Sequence, residues 1–174
     1  DKVIYAKDCK IKEISDEQKN IFLGENHLKG KDISKIKLGL FNDNKLISVM
    51  TFSKSRFNKN VEYEMTRFAN KLDTKVVGGA SKLFKHFIKV YNPVSIISYS
   101  DKRYFTGEIY KNLGFNYIED TSPNYFYFDL KSPLQLLNRM QFQKHKLSNI
   151  LKEYNSELAA RLKTDNSRII VTFN

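Results

Sequence analysis

Residues 75–115 read KVVGGASKLFKHFIKVYNPVSIISYSDKRYFTGEIYKNLGF, and the elements they specify decide the fold. A glycine pair, Gly78-Gly79, opens the stretch and runs into Leu83, Phe84, Phe87, Ile88 and Tyr91, an apolar stripe at helical spacing. Pro93 ends the connection, and Val94 to Tyr99 has the near-continuous apolar character of a central strand. A second helix follows, with Thr106 placed to cap it and Gly114-Phe115 as its closing glycine and hydrophobic contact. Glycines let a backbone approach a ligand closely, and the helix behind them offers unpaired N–H groups and a positive dipole end. The combination suits an anion, phosphate above all.

Working outward, Cys9 to Ile14 reads as a first strand, and Ser15-Asp16-Glu17-Gln18 matches a capping box. The helix it starts carries Ile21, Phe22 and Leu28 on its apolar side and exits near Gly30. Ile36 to Phe41 and Leu46 to Phe52 flank Asn42-Asp43-Asn44-Lys45, a hairpin signature. A basic loop, 53–60, leads to a third strand near Glu62 to Ala69; neither of its faces is purely apolar, which predicts a strand bordering a cleft. Phe115 to Ile118 and Tyr125 to Leu130 read as further strands. After Lys131 the character changes: Ser132-Pro133-Leu134-Gln135 is a helix start with proline at the first position, predicting a long polar helix. From Lys131 onward there are eight cations against three anions, and Arg168 to Phe173 suits a last strand. The reading is therefore an α/β domain over 1–130 with a basic helical extension over 131–174.

The 174 residues, 41% hydrophobic and 13% aromatic, suit one globular domain with a substantial core. One cysteine, Cys9, excludes an internal disulfide framework and favours a reducing, cytoplasmic compartment of a bacterial or phage-infected cell. No apolar run reaches membrane-spanning length, so no membrane partner is expected. His27, His86, His145 and Cys9 lack metal-ligand spacing, and no nucleophile elbow is present. The first residue, Asp1, is what a piece of a longer chain would show. Thirty Lys and Arg against nineteen Asp and Glu give a net charge of +11, a field that favours a polyanion such as double-stranded DNA. Lys54, Arg56, Lys59, Lys102, Arg103, Arg139, Lys144 and Lys146 are the expected phosphate contacts.

Lys75-x-x-Gly78-x-Ala80 is similar to the pyrophosphate loop of the GNAT (N-acetyltransferase) superfamily, and Tyr110-x-x-Leu113-Gly114-Phe115 resembles its second signature. The element order over 1–130 is similar to that whole fold, a mixed twisted sheet flanked by helices. Within the superfamily the chain looks most like phage Mom-type DNA-modification proteins and the related domains appended to phage homing endonucleases. Those share Arg67-Phe68, Gly78-Gly79-Ala80-Ser81-Lys82-Leu83, Ser98-Tyr99-Ser100-Asp101 and the Tyr110 motif. The resemblance implies acetyl-CoA or another acyl-type donor held by Lys75, Val77, Gly78, Gly79, Ala80, Ser81 and Lys82. It implies a base amine of DNA, adenine first, as acceptor, and a reacting set of His27, Arg67, Ser81, Asp101 and Tyr110. One departure is Lys75, where the superfamily prefers Gln or Arg.

In that scheme Tyr110 protonates the leaving thiolate, and Asp101, at the carboxyl end of its strand, accepts from the amine. Arg67 holds a phosphate or the donor, and Tyr104 or Tyr125 stacks on a flipped base. Each residue also has a structural reading. Gly78-Gly79 can serve a tight turn, Tyr110 the core, His27 a helix end, Asp101 a helix cap and Ser81 a first helical turn. The functional alternative to catalysis is a DNA-binding module that accompanies a fused or separate nuclease.

Overall fold

The computed structural model describes residues 2–122, 125–129, 132–143, 159–163 and 168–173. They form β1 (Lys2–Tyr5), β2 (Lys10–Glu13), α1 (Asp16–Asn26), β3 (Ile36–Asn42), β4 (Lys45–Lys54), β5 (Tyr63–Asn70), β6 (Thr74–Val77) and α2 (Gly79–Tyr91). Then come β7 (Ile96–Asp101), α3 (Glu108–Asn112), β8 (Asn116–Asp120), β9 (Tyr125–Asp129), β10 (Ser132–Asn138), β11 (Ala159–Lys163) and β12 (Arg168–Phe173). Residues 1–99, 107–118 and 170–174 make one unit, and residues 100–106 with 119–169 make a second.

The first unit is built on a seven-stranded mixed sheet in the order β2-β3-β4-β5-β7-β12-β8. Local chemistry sets its elements. Asp43 and Asn44, at φ 46° and 63°, make the tight β3–β4 turn expected of short polar side chains that tolerate the left-handed region. Ser15 and Gln18 close the capping box reciprocally at 3.1 and 3.2 Å. α2 lays Leu83, Phe84 and Phe87 into the core, where the Phe87 ring stacks on Phe52 at 3.6 Å. Phe84 meets Phe115 at 5.2 Å, just past Gly114, whose φ of 87° turns the chain out of α3. On α1 the buried face is Lys19, Phe22 and Leu23, while Ile21 and Leu28 face solvent. α3 begins at Gly107 in the left-handed conformation with no side-chain cap, so Thr106 does not cap it.

Three pairings were not legible as elements. β1 runs parallel to β6, Lys2 opposite Thr74 through Tyr5 opposite Val77. The C-terminal segment corrects the expected helical extension: Ser132–Asn138 is a strand, not a helix start. β10 and β11 flank β9 antiparallel in the second unit. Pro133 falls where the β10 register shifts, between Ser132 and Leu136, and a residue without an N–H is as suited to that irregularity as to a first helical turn. β12, the expected last strand, lies between β7 and β8 in the main sheet. Residues 144–158 of the expected helix lie outside the described residues.

The Phe52–Phe87 stack is fully buried. Phe87→Ala is expected to cost about 3–5 kcal/mol in denaturant unfolding; a loss under about 1 kcal/mol would show that α2 is not seated by this contact.

Candidate active site

β5 and β7 run parallel but pair at only two positions, Tyr63 with Ile96 and Glu64 with Ile97. Beyond them the strands part. Where the ladder stops, the Ser98 hydroxyl donates to the Met65 carbonyl at 2.9 Å, satisfying an acceptor that a third ladder bond would otherwise take. On its other edge β5 carries a bulge: Thr51 faces Arg67 and Phe52 faces Met65, leaving Thr66 as the extra residue. The strand expected to border a cleft is therefore irregular on both edges.

Polar side chains collect around these irregularities. The Thr66 hydroxyl meets Asp32 Oδ2 at 2.6 Å, and the Thr51 hydroxyl meets the same oxygen at 2.8 Å. Lys19, 1% exposed, reaches from α1 to Asp32, donating to its carbonyl at 2.6 Å and lying 3.2 Å from its carboxylate. Burial raises the Asp32 pKa, but the bonds from Thr66, Thr51 and Lys19 outweigh it and hold the carboxyl below its ordinary value. This cluster escaped the sequence reading. The signal was present: Lys19 precedes Phe22 and Leu23 at the three- and four-residue spacing of a buried helix face.

The structure brings three of the five expected reacting residues together. Arg67 donates to the Thr66 carbonyl at 2.8 Å and to the Gly30 carbonyl at 3.4 Å. Its positive charge bears on both His27 and Tyr110. His27 sits at the end of α1 and accepts the Lys29 N–H on Nδ1 at 3.0 Å, which leaves the proton of the neutral ring on Nε2. Burial, with Arg67 and Lys29 behind it, pushes its pKa down to about 4, so the ring is neutral at pH 7. Tyr110, on α3, has its phenol within reach of the Ser98 hydroxyl. Burial raises its pKa against the opposing effects of Ser98 and Arg67, so it stays protonated at neutral pH. Ser98 is the partner the sequence reading missed.

The glycine loop stands at a helix N-terminus, as expected. Gly78 is left-handed at φ 76°, and the first intrahelical bond is Lys82 N–H to Gly78 O, which leaves the Gly79, Ala80 and Ser81 N–H groups ahead of it. The missing side chain of Gly79 serves packing: a Cβ there would stand 2.8 Å from Val76 Cγ1. Beside the loop is an open cleft of about 460 Å³, with Tyr5, Lys7, Gly78, Ser81, Lys82 and Lys85 on its walls. The Lys82 ammonium is held by the Ala6 and Cys9 carbonyls at 2.7 and 2.6 Å, fastening the turn after β1 to α2. Val77 and Lys75 are exposed on β6.

Asp101, in the second unit, is 5% exposed and gripped by Arg103 through Nε at 3.1 Å and Nη2 at 3.0 Å. It also accepts the Arg103 N–H at 3.2 Å, the geometry of a turn. The expected phosphate contacts are similarly engaged. Lys54 pairs with Glu62, Arg56 with Glu64 and Lys102 with Asp120, while Lys59 is exposed. Lys144 and Lys146 lie outside the described residues, as do the side chains of Arg139 and Tyr125. No helix among the described residues is long and apolar enough to cross a membrane.

No model of a known protein family matches the chain, and no curated protein does. Solved structures do. The ribosomal-protein-S18-alanine N-acetyltransferase from Escherichia coli is 11% identical, with a TM-score of 0.56 over 95% of this chain and 92% of that one. Arabidopsis thaliana Naa50, in complex with the bisubstrate analogue CoA-Ac-MVNAL, is 7% identical with a TM-score of 0.58 over 96% and 99%. A GNAT family acetyltransferase from Elizabethkingia anophelis, with acetyl-CoA bound, is 12% identical with a TM-score of 0.51 over 96% and 98%. The chain has the GNAT fold, a mixed sheet flanked by helices.

His27 gives a pH prediction with a definite sign. Its folded pKa lies below its unfolded value, so the unfolded chain binds more protons between pH 6.5 and about 4. Its contribution is therefore fully present above pH 6.5 and is lost as the pH falls towards 4. Denaturant unfolding should show the wild type losing stability across that window relative to His27→Gln; parallel profiles would mean the ring is not buried neutral.

Proposed function

We propose that the protein is an N-acyltransferase that takes an acyl-CoA-type donor and delivers the acyl group to an amine. The observation that carries this reading is the pairing of two features in one unit. A glycine loop opens α2 beside an open cationic cleft, and a protonated tyrosine stands where β5 and β7 part. The donor fits that arrangement: Gly78 leaves its approach open, and the Gly79, Ala80 and Ser81 amides with Lys7 and Lys85 would hold its pyrophosphate and 3′-phosphate. When bound, the donor supplies an activated acyl carbon. Tyr110 holds a proton on its phenolic oxygen that the departing sulfur takes up, and the Ser98–Met65 bond fixes the hydroxyl beside it. His27 is neutral and Arg67 positive, so neither adds a negative charge that would repel an anionic donor.

For the acceptor, a base amine of DNA, adenine first, is the finer reading. Its support is the net charge of +11, which draws a polyanion to the chain. A neutral exocyclic amine needs orientation and a proton acceptor as the new bond forms rather than prior deprotonation. The grip of Arg103 on Asp101 favours the second reading, a DNA-binding module of the same fold that accompanies a nuclease, because that carboxylate already has its cation.

Calorimetric titration with acetyl-CoA and mass spectrometry of nucleosides from co-expressed DNA separate the two. The enzyme reading expects donor binding that Gly78→Ala weakens, since that change forces a side chain into φ 76° at a cost of about 1–2 kcal/mol. It expects Tyr110→Phe to bind donor normally while transfer falls by about 10²–10⁴-fold. Unmodified nucleosides with no donor binding would leave the DNA-binding module. Donor binding with acylation of a protein or small amine would keep the enzyme and remove DNA as acceptor.

A further inference from the structure

Two exposed loops, one in each unit, repeat the same device. After β4, Arg56 sets Nε and Nη2 on the two carboxylate oxygens of Glu64 at 3.2 and 2.9 Å, and its guanidinium lies 5.5 Å from the Phe57 ring centroid. After β7, Arg103 sets Nε and Nη2 on Asp101 at 3.1 and 3.0 Å and lies 5.1 Å from the Tyr104 ring centroid. Both carboxylates are buried, each side chain 5% exposed. Both rings are out in water, Phe57 at 73% and Tyr104 at 55% exposure, and Phe105 beside Tyr104 is at 52%.

A guanidinium in a two-point grip on a buried carboxylate keeps its charge, but that charge is offset by its partner and its freedom to turn is lost. It is a poor mobile contact for phosphate. What it does is back an aromatic ring with a second flat surface of fixed orientation, so that little ordering remains to be done when a ligand arrives. Phe57 meets Tyr99 edge-on at 6.1 Å and Tyr104 meets Phe105 at 6.4 Å, yet each residue stays more than half exposed and offers an open ring face. A flat, π-faced ligand matches it, and the charge around it selects the kind: Lys54 and Lys59 flank the first loop, Lys102 the second, on a chain of +11. That field attracts a polyanion, and the polyanion with flat faces is a nucleic acid whose bases are unpaired.

We propose that the Arg56–Phe57 and Arg103–Tyr104 pairs are stacking platforms for unpaired nucleobases of single-stranded or locally opened nucleic acid. The proposal rests on the nucleic-acid part of the reading above and not on the acyl transfer. It assigns the two arginines to holding rings, and leaves phosphate contact to cations such as Lys59.

The chain contains no tryptophan, so Phe57→Trp or Tyr104→Trp introduces a lone fluorescent reporter at each platform. Titrated with a single-stranded thymine homopolymer, each should bind as tightly as the wild type and be quenched on binding. Phe57→Leu and Tyr104→Leu keep apolar bulk but lose the ring; each should lower affinity by about 5–50-fold with the salt slope unchanged. Lys59→Ala should reduce the salt slope by about one. Far-ultraviolet circular dichroism checks that the leucine variants fold, and both positions are exposed enough to expect it. Leucine variants that bind like the wild type, or that lose affinity only through a changed salt slope, would overturn the platforms alone. A wild type that binds neither single strand nor duplex in dilute salt would overturn the nucleic-acid reading and the platforms with it.

Discussion

The parallel ladder between β5 and β7 stops after two residue pairs, and most of the site follows from that interruption. Two strands that part in mid-sheet expose backbone groups that must find other partners. Ser98 takes the Met65 carbonyl, and the bulge at Thr66 turns side chains of β5 that a regular strand would have buried or exposed in alternation. The neighbourhood is therefore polar although it lies inside the fold. It accommodates a protonated tyrosine, a neutral histidine and an arginine bound to carbonyls. An unbroken sheet would have offered them no room.

A polar interior needs charges of both signs in register, and the Asp32–Lys19 pair meets that demand on the other edge of β5. Lys19 is nearly as buried as the leucines of the core, and its charge is tolerated because Asp32 faces it and Thr51 and Thr66 bond the carboxylate. These bonds tie the segment after α1 to the bulged strands, so the loop that carries His27 and Gly30 is set against Arg67. The pair is less a source of stability than a specification of which loop conformation accompanies the bulge.

Charge also organises the surface. A net +11 would suggest many cations at liberty, yet Arg56, Arg103, Lys54 and Lys102 are each set against a carboxylate of their own unit, and Lys82 against main-chain carbonyls. The local function of a basic residue here depends on its partner more than on the total. Where the partner is buried and the grip is two-pointed, the cation becomes a rigid plane; where it is exposed, as in Lys54 with Glu62, the pair exchanges readily with water and salt.

The sequence by itself determined the elements whose signals are local. The capping box at Ser15, the turn at Asp43-Asn44, the stripe of α2 and the glycine at its start each depend on residues within a few positions, so backbone sterics and helical period suffice to read them. The same holds for the fold, since the order of those elements is what the GNAT likeness rests on. Tertiary structure alone decided the rest. Residues 132–138 carry a proline compatible with either a helix start or a bulged strand, and the choice fell to the edge of β9 with which they pair. Lys19 and Asp32 lie thirteen positions apart and pair only once the loop folds over β4 and β5. Asp101, legible as an acceptor at a strand's carboxyl end, turned out to hold Arg103, because a buried carboxylate takes the nearest cation the chain can bring to it.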